Sequence, residues 1–242
     1  MLRHTGKKRS FAHNLRLAIL LCLNAGFINA AGFIAFAVLT TNVTGHAALL
    51  AVNLTSQGFR AARMVALWLL LFLAGAFCSS LYIGKVGREK SFAYTVPIVV
   101  IILLVLVVAI FGHTYRHRLP ETEYFAGSLL FAMGMQNALV SMVSGSVVRT
   151  THLTGMFTDL GIDLSGALLA GKPSNPAARR RILLRLTIII FFLLGGLAGG
   201  FAFRAWRFAA FYVPCGLLLV VLFYDYFRVR VKRVIRGSLW QT

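Results

Sequence analysis

Six apolar runs, at about 17–39, 64–83, 92–111, 125–148, 183–203 and 208–227, decide what this chain can fold into. Each is close to the ~20 residues an α-helix needs to cross a bilayer. A backbone in lipid must satisfy its own hydrogen bonds, so such runs fold as helices. The composition agrees: of 242 residues 59% are hydrophobic and 13% charged, and the mean hydropathy is +0.80. A soluble domain has no interior large enough for that much apolar surface. The expected fold is an all-α integral membrane protein of about six crossings, with the lipid bilayer as its main partner.

A formal charge of +19 points to nucleic acid until its placement is considered. Lys and Arg gather at the ends of the apolar runs, as membrane-flanking cations do. No soluble segment is long enough to form a folded basic surface, so nucleic acid is not an expected partner. Arg3, Lys7, Lys8, Arg9 and Arg16 precede the first run, and a basic tail follows the last. Both termini are therefore expected in the cytoplasm. The first apolar run continues well beyond the length of a signal peptide's, so it is expected to stay as an uncleaved span. Cys22, Cys78 and Cys215 lie scattered in apolar runs, with neither a disulfide pattern nor metal-ligand spacing.

Two stretches stand outside this scheme. One is Thr41–Leu54 (TNVTGHAALLAVNL), the other Arg149–Leu164 (RTTHLTGMFTDLGIDL). Matched on Thr-Gly, Thr41 meets Thr151, Thr44 meets Thr154, Gly45 meets Gly155 and Asn53 meets Asp163. The apolar centre of the first, 47–52, is far too short to cross in one helix. A short half-helix, re-entrant or tucked among the spans, is expected at each place. Gly tolerates unusual backbone angles, and Thr can accept a backbone N–H at a new helix start. The exposed N–H groups of such a start present a positive dipole end that can hold an anion. The plainer alternative is a tight turn between packed helices.

Other markers recur in the same order. Asn24-Ala25 has a counterpart in Asn137-Ala138, Phe72-Leu-Ala-Gly75 in Phe192-Leu-Leu-Gly195, and Val96-Pro97 in Val213-Pro214. The order favours two repeats, 17–112 and 125–227, joined by a polar linker at 113–124 and flanked by basic segments at 1–16 and 228–242. Three crossings per half would make the repeats inverted; four, if the Thr-Gly helices cross fully, would make them parallel. Loop charge does not separate the two, and apolar length favours three.

Only six acids occur in the chain, and two of them, Asp159 and Asp163, lie four apart between apolar runs. On a helix they share one face. An ionisable residue within a membrane is costly and usually marks an ion or proton path, so both are expected to couple a proton or cation. The alternative is interfacial acids paired with Arg149, Lys172 or another basic loop residue. Solute contacts are expected from Asn24, Thr44, Gly45, His46, Asn53, Gln136, Asn137, His152, Thr154 and Gly155. His46 and His152 lack the further ligands a metal needs, so no metal is expected. No nucleophile–base set, Walker loop, HExxH or dinucleotide fingerprint is present, so neither catalysis nor a cofactor is expected. Gly195, Gly196, Gly199 and Gly200, with Gly75 and Ser79 in the first half, suit close helix contact.

The run QNALVSMVSGSVVRTTHLTGMFTDLGIDL (Gln136–Leu164) resembles the second motif of the YoaK-type family of bacterial membrane proteins, and NAGFINAAGFIAFAVLTTNVTGHAALL its opening motif. The likeness extends from about Leu17 to Phe227. It implies a six-span protein of the bacterial inner membrane and carries no established activity. The family's motif has Asn after the first Thr-Gly where this chain has His46, so a role needing an amide there does not transfer. The leading functional expectation is a small-solute secondary transporter or permease. A non-transporting membrane scaffold is the alternative, and a second copy of the chain is a candidate partner.

Overall fold

The structure, a computed structural model, describes residues 11–88, 90–116, 118–169 and 176–224. The basic N-terminal segment, Lys172 and the basic tail lie outside the described residues. All regular structure among the described residues is helical. The helices are α1 (Phe11–Phe36), α2 (Val43–Thr55), α3 (Phe59–Val86), α4 (Thr95–Phe111), α5 (Leu119–Ser144), α6 (Leu153–Leu169), α7 (Pro176–Trp206) and α8 (212–224). Five helical stretches are long and apolar enough to cross a membrane, and the last of them, Pro176–Tyr224, holds both α7 and α8. A 3-10 turn at Arg207–Phe211, entered with Arg207 at φ 52°, reverses the chain between those two.

Apolar side chains on the outer faces, such as Leu70, Leu73 and Phe77 on α3 and Leu193, Leu197 and Phe201 on α7, stay exposed. In lipid that exposure costs nothing, so helix association must come from close packing. The glycines show where it occurs. A Cβ on Gly195 would strike the Leu23 carbonyl, and one on Gly199 the Phe27 carbonyl, so α7 runs beside α1 in the same direction. A Cβ on Gly75 would strike the Phe131 carbonyl, while Gly127 meets Leu71, so α3 and α5 are parallel too. Of the four clustered glycines, only Gly195 and Gly199 have no room for a Cβ; one on Gly196 or Gly200 would meet nothing closer than 3.7 Å.

Against α5, α1 runs the other way. Gln136 Nε2 donates to the Leu21 carbonyl (3.0 Å) near the start of α1, whereas Phe36 at its end stacks on Phe125 near the start of α5 (5.9 Å). Because α5 parallels α3, α3 is antiparallel to α1. A fully crossing α2 would have returned α3 parallel to α1. Instead the chain turns at Ala37 (φ 57°) and doubles back along α1. Thr41 N–H donates to Asn29 Oδ1 (3.1 Å), seven residues before the end of α1. That is about 10 Å inward at the α-helical rise. From there α2 climbs back out for 13 residues, about 20 Å.

Candidate functional site

What starts α2 at that depth is its N-terminal cap. The first helix N–H groups have no partner of their own within a helix and must be satisfied by a neighbouring side chain. Asn42 Oδ1 accepts from Gly45 N (2.9 Å), so Asn42, rather than the expected Thr44, caps α2. The glycine is required because a Cβ there would strike the Asn42 side chain. At α6 His152 stands in the same relation to Gly155: a Cβ on Gly155 would strike the imidazole. His46 N donates to Asn42 O and Met156 N to His152 O, both at 3.1 Å, so the two helices begin alike. The local pattern is Thr-Thr-Asn-Val-Thr-Gly at 40–45 and Thr-Thr-His-Leu-Thr-Gly at 150–155.

The two helix starts open on one cavity of about 600 Å³. Its lining comes in matched positions: Asn29 and Asn137, Thr41 and Thr151, Asn42 and His152, Val43 and Leu153, Thr44 and Thr154, Phe72 and Phe192. Ser141, Ser146, Leu39 and Arg149 complete it. Arg149 is the one charged residue of the lining, and it occupies the position matched by Leu39. The depth of the site is set by glycine packing. Gly26 lies against the Phe192 carbonyl and Gly134 against the Phe72 carbonyl; Asn29 and Asn137 each follow by three residues. Asn29, rather than Asn24, therefore stands opposite Asn137.

Of the residues expected to contact solute, Thr44, Asn137, His152 and Thr154 line the cavity. The others have different surroundings. Asn24 Nδ2 donates to Gln136 Oε1 (2.7 Å), a buried pair that joins α1 to α5. His46 is buried, with Nε2 2.8 Å from the Leu39 carbonyl and its ring edge-on to Trp68. It steadies the returning segment 37–42 from behind. The Asn53 carbonyl accepts from Gly58 N (2.8 Å) at the outer end of α2. Gly45 makes room for the Asn42 cap and Gly155 for the His152 ring.

Asp159 and Asp163 lie outside the cavity lining, further along α6. Asp163 pairs with Arg181 (3.1 Å) and with Arg185, and Asp159 with Arg185 (3.3 Å). Arg185 also donates to the Asp159 carbonyl (2.9 Å). The four groups fasten α6 to α7. Among the described residues no three His, Cys, Asp or Glu side chains converge as metal ligands.

Sequence reasoning missed Asn29, Thr41, Asn42, Thr151, Ser141, Ser146, Arg149 and the two Phe residues. The repeated Thr-Thr-Asn/His-x-Thr-Gly string was the available signal for Thr41, Asn42 and Thr151, since the cap Asn42 sits three places before its glycine.

Helices that leave their apolar faces to lipid, around a polar interior cavity, define a multi-pass α-helical membrane protein. Residues 17–224 match the family described as "Protein of unknown function (DUF1275)", and the chain belongs to that family. It is also similar to the "UPF0700 transmembrane protein YoaK" of Bacillus subtilis (strain 168), 25% identical over 182 residues, which cover 74% of this chain and 80% of that protein. No solved structure matches.

Proposed function

We propose that the protein is a permease for a small solute, built as two inverted three-crossing repeats. The observation that carries this is the cavity itself: two short helices from different halves begin at it, and their matched residues line it. Discontinuous helices at corresponding positions of two halves are the usual construction of a transporter's binding site. A scaffold needs helix contacts and has no use for a polar cavity of this size in lipid, where unpaired polar groups are costly. The antiparallel course of α1 and α5, and the shared pairing of α1 with α7 and α5 with α3, support the inverted arrangement.

Charge supports an orientation. Arg16, Lys85, Arg88, Lys90 and Arg179–Arg181 lie at the end where α1 begins. Cations gather on the cytoplasmic side, which favours an N-terminus there in a bacterial inner membrane, although Arg60, Arg63, Arg204 and Arg207 lie at the other end. In this reading Asp159 and Asp163 hold α6 on α7, and solute selection falls to the cavity residues. Single cysteines test it, placed at Thr44, Ser141 and Thr154 in protein whose one exposed cysteine, Cys78, is replaced by Ser. All three are expected to react with a small neutral thiol reagent, and a cysteine at the buried Asn24 to stay unreactive. Three unreactive cavity positions would mean a dry, packed centre, and the scaffold reading would replace the permease.

A further inference from the structure

Resting on the permease reading, we infer that the solute is a small anion, held between the starts of α2 and α6 with Arg149 as its counter-charge. Four features of the cavity converge on negative charge. Both half-helices present their N-terminal ends to it, where partial positive charge resides. Arg149 lines it, and no acid does; among the described residues Arg149 has no ion-pair partner. Asn29 spends its Oδ1 on the Thr41 N–H, which leaves its amide Nδ2 as the free donor. Thr41, only 7% exposed, lines the cavity, and its hydroxyl bonds to no described residue.

Thr41 is a largely buried residue whose hydroxyl opens on the cavity, so whatever fills the cavity completes its hydrogen bond. Oriented N–H donors, hydroxyls and one guanidinium are the set that replaces the hydration of a carboxylate or an inorganic oxyanion. The guanidinium and both helix ends repel a cation, and the hydroxyls and the unpartnered Asn137 Oδ1 bring no formal negative charge to offset them. The single cation also makes the two entrances unequal. Arg149 lies in the segment joining α5 to α6, and the matched place after α1 holds Leu39. An anion is therefore drawn in from the α5–α6 side.

The test compares thiol reagents of equal reach and opposite charge on detergent-solubilised full-length protein with Cys78→Ser. Rates for a sulfonate-bearing methanethiosulfonate and its trimethylammonium analogue are measured at Thr44→Cys and Thr154→Cys. Each is normalised to the exposed loop position Ser56→Cys, with the neutral methyl reagent alongside. The sulfonate-to-ammonium ratio is expected to exceed the loop value by about tenfold or more, as two helix ends and one full charge imply. Arg149→Leu should collapse that ratio and Arg149→Lys should keep most of it. Sodium nitrate or formate should slow labelling in the parent more than in Arg149→Leu. Neutral and ammonium reagents reacting as fast as the sulfonate would overturn the anion assignment and leave the permease standing. If even the neutral reagent fails at both positions, the cavity is closed to water and both proposals fall.

Discussion

At the residue scale, the unit that builds the site is a cap and its glycine. Asn42 can reach the Gly45 N–H only because no Cβ stands in the way. Gly45→Ala is therefore expected to displace the cap, a loss of about 1 kcal/mol, which the better helix propensity of Ala roughly offsets. Asn42→Ala should cost the same without that offset. The informative variant is the pair. Once Asn42 is Ala the collision is gone, and Gly45→Ala then contributes only better helix propensity, about 1 kcal/mol in its favour. A double-mutant cycle on thermal denaturation in detergent should show Gly45→Ala nearly neutral alone and stabilising in the Asn42→Ala background. Destabilisation in both backgrounds would mean that the glycine serves something other than the cap. His152 and Gly155 repeat the arrangement with a larger ring, which is why Asn and His at these two positions did not advertise their equivalence in the sequence.

At the element scale, the glycines that fix helix depth are separated from those that only look alike. Gly195→Ala and Gly75→Ala drive a methyl into a backbone carbonyl, which cannot swing aside as a side chain can. Each is expected to cost about 2 kcal/mol or more through forced separation of the helices. Gly196→Ala and Gly200→Ala meet nothing closer than 3.7 Å and should leave the melting temperature unchanged or slightly raised. Equal losses at all four would show that the small-residue stripe acts as a whole. The same contacts explain how much of the molecule was legible beforehand. Crossing helices follow from apolar length, and the returning α2 from a run too short to cross. The cavity was harder. Asn24-Ala25 and Asn29-Ala30 are the same dipeptide, and only the seating of Gly26 beneath Phe192 decides which of them stands opposite Asn137. The acids misdirected for a related reason. Their cost in lipid was evident, but their partners Arg181 and Arg185 lie 18 to 26 residues away on another helix. Arg149 drew little notice as one cation among 25, and became distinctive only once the rest of the cavity lining was seen to be uncharged.

At the scale of the whole molecule, the direction of each helix follows from one question: whether α2 turns back. If it does, α3 descends where α1 rises, and the connections after α2, α3 and α4 change sides relative to a chain whose α2 and α6 both cross. Cysteines at Ser56, Lys90 and Thr114 report the three connections that differ, in cells where the N-terminal side is independently marked. With α2 returning, Ser56 and Thr114 label from the side opposite the N-terminus, and Lys90 from the same side. With α2 crossing, all three reverse. Ala178, before the main length of α7, stays on the N-terminal side in both arrangements and serves as the control. The expected pattern is the first, because Thr41 bonds to Asn29 within α1 and α2 is then too short to reach the far surface. Arg60 and Arg63 oppose it: they lie at the end away from Arg16, against the usual placement of cations. They are accompanied there by Glu123, which shares a surface groove with both and offsets part of their charge. Labelling of Ser56 from the N-terminal side would mean that α2 crosses despite its short length. The two half-helices would then enter from the same side, and the cavity between their starts would have to be abandoned.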